Sequence, residues 1–215
     1  MPTTKTITLY KYDELPESSQ ENARNWFREG NLDYEWHEYP FDEFTEDISK
    51  EGIDILTREQ KHIGGYDNGA WNPHKETTVT ESNIYFSGFS SQGDGASFEA
   101  NVNIANWLKA HKLANRYRRY YNIAKKEGYR CAIRRGGQSY HEMTMHVYTD
   151  GTDYPEYTPK YDVLLERILE DCRQHAKSLY RQLETEYDYL QSDECVIEAI
   201  QANEYTFTID GKREG

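Results

Sequence analysis

The residues Ser90-Ser-Gln-Gly-Asp-Gly95 combine side-chain oxygens with a permissive backbone. Ser90, Ser91 and Asp94 offer oxygens, and Gln92 adds an amide. Gly93 and Gly95 tolerate positive φ, so their loop can turn its N–H groups toward an anion or its oxygens toward a metal. The same residues also make a tight turn, because Asp-Gly between two aromatic-rich runs is a strong hairpin signal. Both readings stay open. A dinucleotide site is excluded, since the third glycine is missing and no helix follows directly.

His62 and His74 lie near Trp71 in residues 57–82, placed to act as ligands or acid/base groups. No third ligand stands at a recognisable spacing from them. His141 and His146 are five residues apart rather than four, on a stretch that reads as strand, so they form no zinc-protease motif. Cys131, Cys172 and Cys195 are scattered and contain no Cys-x-x-Cys pair, which favours neither a disulfide framework nor a zinc site. A reducing, cytoplasmic setting fits that usage. No nucleophile–base set, phosphate loop or telling carboxylate pair is visible. The expectation is therefore no catalytic residue, no metal, no cofactor, and a function in binding rather than catalysis.

Charge separates along the chain. The formal total is −13 over 215 residues. Residues 1–60 carry −9, residues 61–150 carry +4 and residues 151–215 carry −8. In the acidic start, Glu35, Glu38, Asp42, Glu43, Glu46 and Asp47 can present rows of carboxylates on helices. In the middle, residues 109–135 hold ten lysines and arginines against Glu127 alone. Arg116, Arg118, Arg119, Arg134 and Arg135, interleaved with tyrosines, have the composition of phosphate contact and base stacking. They equally suit a solvated face paired with the acidic ends.

The elements that must position these groups follow from periodicity. Alternation predicts strands near 5–12, 84–89, 97–104, 129–134, 139–148 and 205–210. Phe98, Ala100, Val102 and Ile104 should face inward, opposite Glu99, Asn101 and Asn103. Helices are expected from about Pro16 to Glu29, from Tyr39 to Lys50, and over 105–128 with a break near Lys112. The longest runs from Tyr161 to Leu190, and Ser192 caps a last helix to Ala202. Residues 57–82 read as a loop or a wide-mouthed hairpin. The fold class is α+β: a mixed or mainly antiparallel sheet of about five to six strands packed with helices. We read residues 1–215 as a single domain, with possible subdivision at 1–56, 57–150 and 151–215. No apolar run is long enough to span a bilayer and no signal peptide is apparent, so no membrane partner is expected. The long helix leaves a homodimer open.

Three blocks carry a resemblance: Leu9-Tyr-Lys-Tyr-Asp-Glu-Leu15 leading into Ala23-Arg-Asn-Trp-Phe27, the central Tyr85-to-Phe98 run, and Ser192-Asp-Glu with the Ile200-to-Phe207 and Asp210-Gly-Lys-Arg213 segments. Together they resemble small proteins of tailed bacteriophages and prophages, often labelled antitoxins of toxin–antitoxin stability systems. The resemblance implies an accessory protein of the infected cell that binds a bacterial host complex and blocks a defence system, as an anti-CRISPR or other anti-defence inhibitor. An acidic surface could do this by nucleic-acid mimicry. The alternatives are a nucleic-acid or nucleotide binder using the 109–135 strip, and an antitoxin-like neutraliser of a toxin.

Overall fold

A computed structural model describes residues 6–31, 36–67, 69–149 and 158–214. The chain forms two compact units, Met1–Glu38 with Leu183–Gly215, and Tyr39–Gln182. It is an α+β protein, as expected, and the described strand pairs are antiparallel. The described strands divide into one four-stranded sheet and three two-stranded ones. No described helix is long and apolar enough to cross a membrane.

In the first unit, β1 (Tyr10–Lys11) pairs with β10 (Thr206–Phe207). Of the strand expected over 5–12, residue 5 lies outside the described residues, and only Tyr10–Lys11 is strand. Tyr12–Glu14 winds into a 3-10 turn, and Glu14 Oε2 accepts from the Lys11 amide at 2.8 Å. The closing segment pairs with β1 and does not join the larger sheet. Helices α1 (Glu17–Asn31) and α6 (Asp193–Ala202) enclose a core of Tyr12, Leu15, Ala23, Phe27, Val196, Ile200 and Phe207. Ser192 caps α6 as expected, its hydroxyl accepting from the Cys195 amide at 3.2 Å. Gly211, at φ +80°, lies so close to α1 that a Cβ there would sit 2.1 Å from the Ser19 carbonyl oxygen.

The second unit is built on a sheet ordered β2-β7-β8-β9, formed by Ile53–Ile55, Ala100–Asn103, Arg130–Arg135 and Met145–Tyr148. The predicted alternation holds: Phe98, Ala100, Val102 and Ile104 are buried, and Glu99, Asn101 and Asn103 are half-buried. They do not form one strand. Glu99 separates β6 (Ala96–Phe98), which pairs with β5 (Ile84–Phe86), from β7. Ile104 instead starts helix α3 (Ile104–Ala110), with Asn103 as its cap.

The predicted break at Lys112 is a left-handed residue, φ 57°, before α4 (Arg118–Glu127). The second arm expected over 139–148 is shorter than the alternation suggested. Glu142–Thr144 forms a 3-10 turn capped by the His141 side chain, so only β9 is strand. Within 57–82, β3 (Thr57–Asp67) and β4 (Ala70–Ser82) pair as an antiparallel ribbon, bulged between Ile63 and Gly65.

The long helix α5 (Pro159–Gln191) contributes its buried stripe Leu165, Ile168, Leu169, Cys172, Ala176 and Leu179 to this unit. Helix α2 (Glu38–Ser49) lays Phe44 on Phe98, ring centres 5.5 Å apart, and buries Ile48. Each buried Leu, Ile or Phe is worth about 1.5–3 kcal/mol, so these apolar stripes fix the faces that α2 and α5 present.

Candidate functional site

Helix periodicity decides what α2 shows to solvent. With Pro40, Phe44 and Ile48 inward, Glu38, Asp42, Glu43, Glu46 and Asp47 fall on the exposed side. Lys50 Nζ pairs with Asp47 at 2.8 Å and Glu46 at 3.5 Å. Glu43 accepts from Gln182 Nε2 at 2.9 Å. Glu35 lies outside the described residues. The same helix edges a groove of about 550 Å³, whose lining includes Glu43, Asp47, Lys50, Glu51, His175 and Gln182.

At the end of that groove, residues from three elements converge. Glu51 follows α2, His111 follows α3, and Asp171 and His175 stand one turn apart on α5. Glu51 Oε2 lies 3.0 Å from His111 Nε2 and 3.2 Å from His175 Nε2. Asp171 Oδ2 lies 3.2 Å and 3.7 Å from the same two nitrogens.

Asp171 Oδ2 also accepts from the buried Trp107 indole N–H at 2.8 Å. The Trp107 ring stacks on His111 with centres 4.4 Å apart. Gly52 makes the approach possible. Its φ is +84°, and a Cβ there would lie 2.7 Å from Asn106 Cβ. Chemically, Glu51, Asp171 and His175 bring one imidazole nitrogen and two carboxylate oxygens within 4.8 Å of one another, a donor set for a divalent cation.

Sequence reading did not find this cluster, because its members are separated by up to 124 positions. The available signal was a pair of i,i+4 spacings, Trp107/His111 and Asp171/His175, each putting two polar groups on one helix face.

The other expected site residues are placed as follows. Asp94 turns back into its own loop, where Oδ2 accepts from the Ser90 and Ser91 amides at 3.1 and 2.6 Å. Those hydrogen bonds hold its carboxyl below the usual range. The loop is therefore a turn whose carboxylate and amides satisfy each other, with Gln92 exposed. His62 sits beside Glu81 at 3.3 Å on the ribbon, and the exposed His74 meets no third ligand among the described residues.

The basic residues separate into two groups. Arg116, Arg118 and Arg119 are exposed at the start of α4. Arg134 donates to the Ala100 and Ile133 carbonyls at 2.9 and 2.8 Å. Arg135 lies over Tyr85 and Tyr140, 4.3 and 4.8 Å from their ring centres. Arg134 and Arg135 thus brace the sheet and its flanking rings.

An α+β domain carrying a carboxylate-edged groove and an imidazole–carboxylate cluster is what this geometry defines. The chain belongs to the DUF8835 family, a domain of unknown function, whose model matches residues 36–193. No curated protein and no solved structure matches it.

Proposed function

We propose that the protein acts by docking: the carboxylate row of α2 seats against a basic, nucleic-acid-handling surface of a bacterial host complex and blocks it. The role would be that of a phage-encoded, non-enzymatic inhibitor of a defence system acting inside the infected cell. The supporting observation is the outward row Glu38, Asp42, Glu43, Glu46 and Asp47. At 1.5 Å rise per residue it sets one carboxylate about every 3 Å, close to the one charge per 3.4 Å of a nucleic-acid strand. Counterion release from a basic channel then favours the protein as it favours nucleic acid. Neutralisation of a basic toxin would use the same surface.

The test is capture from expressing bacteria with the wild type and an Asp42→Asn/Glu43→Gln/Glu46→Gln/Asp47→Asn variant. The reading expects a nucleic-acid-handling partner, released by salt, displaced by DNA or RNA, and lost with the variant. Equal capture by the variant, or a partner indifferent to nucleic acid, would refute it. The exposed Arg116, Arg118 and Arg119 support a second reading, direct nucleic-acid binding. A salt-dependent gel shift of labelled DNA or RNA by the purified protein would favour that one.

A further inference from the structure

We propose that Glu51, Asp171 and His175 form a binding site for one divalent transition-metal cation, with zinc as the best fit and His111 as a neighbour of both carboxylates. The geometry carries the argument. One atom each of Glu51, Asp171 and His175 lies within 4.8 Å of the other two. His111 Nε2 stands 3.0 and 3.2 Å from the two carboxylate oxygens. A tetrahedral zinc with ligand bonds of about 2.0 Å sets neighbouring ligand atoms about 3.3 Å apart. Within the trio, His175 Nε2 lies 3.2 Å from Glu51 Oε2 and 3.7 Å from Asp171 Oδ2, near that edge length, and a water would complete the fourth position.

Charge points the same way. Two carboxylates converge here, and no lysine or arginine pairs with either among the described residues. A divalent cation would offset the charge of the two carboxylates. The donors are half-buried, with side-chain exposures of 33% for Glu51, 26% for Asp171 and 25% for His175. Burial is deep enough to strengthen ligation, while the groove beside Glu51 and His175 gives an ion a way in.

The Trp107 indole N–H on Asp171 Oδ2 is the outer hydrogen bond that commonly orients a ligating carboxylate. Mixed nitrogen and oxygen donors without thiolate select zinc and its neighbours over calcium or magnesium. Bound there, the cation would tie the end of α2 to α5. No docking partner is needed for it.

The experiment uses the full chain, stripped with a chelator and titrated with zinc chloride by calorimetry, with cobalt(II) absorption as a second readout. One zinc per chain is expected, with a rise in Tm and the visible bands of tetrahedral cobalt lacking a thiolate charge-transfer band. Glu51→Gln and His175→Ala should each weaken zinc by more than the roughly 10–100-fold typical of losing an outer-shell partner, and Trp107→Phe by about tenfold. His62→Ala should bind as the wild type does. The absence of saturable uptake, uptake unchanged in both ligand variants, or a cobalt–thiolate band in the wild type would each overturn the site. The readouts involve no partner, so their failure leaves the docking proposal standing, and failed docking leaves the metal site standing.

Discussion

Asp94 and the three cysteines show what single side chains do here. The Asp94 carboxylate caps the Ser90 and Ser91 amides, which lowers its pKa from an ordinary 3.8. A depressed folded pKa stabilises above the unfolded value, and the contribution fades as pH falls through the folded one. Asp94→Asn should therefore lower Tm at neutral pH, and the gap to wild type should close below about pH 4, followed by thermal melts across pH. Burial pushes the Cys131 thiol up to about 12 and moves Cys172 upward as well. Cys195 is only partly covered. In the native protein at pH 8, a thiol reagent should label Cys195 first and reach Cys131 and Cys172 only on unfolding. Because burial keeps Cys131 neutral, its contribution is complete below the ordinary 9.0 and is lost as pH rises toward 12.

At the scale of the element, α2 and the residues after it matter most. The apolar edge of α2 fixes the direction of its carboxylates, and Gly52 fixes where Glu51 goes. Gly52→Ala must hold a left-handed φ of +84° and push against Asn106, so a loss of about 1–3 kcal/mol is expected in urea unfolding. Gly211→Ala should cost more. Its added carbon meets the Ser19 carbonyl, part of the backbone of α1, whereas at Gly52 the nearest atom belongs to a side chain. Helix α6 gives a smaller effect. Ser192→Ala removes the cap from the Cys195 amide and should lower stability by about 1 kcal/mol in the same assay.

For the whole molecule, net charge sets the response to salt. The formal total of −13 opposes compaction. Many opposite charges nonetheless meet locally. Arg28 pairs with Asp193, Arg58 with Glu81 at 2.9 Å, and Arg130 with Asp54 at 3.1 Å. Such surface pairs are each worth at most about 1 kcal/mol, so repulsion within the excess of negative charge should dominate. Raising salt from about 10 mM to about 150 mM shortens the Debye length from about 30 Å to about 8 Å, and Tm should rise over that range. A fall would mean that attraction outweighs repulsion across the surface.

The sequence alone determined the features whose causes lie within one or two turns of chain. The amphipathic stripes of α2 and α5, the Ser192 cap, the break at Lys112 and the inward alternation from Phe98 to Ile104 were all legible. Each depends on local periodicity or backbone freedom. Strand partners were less legible. Whether β10 met β1 or the larger sheet, and whether residues 139–144 stayed extended, depended on competing hydrogen bonds from distant segments. The imidazole–carboxylate cluster was decided by tertiary structure alone. Glu51, His111 and Asp171 stand far apart in the chain, and burial of Trp107 against α5 brings their polar ends together.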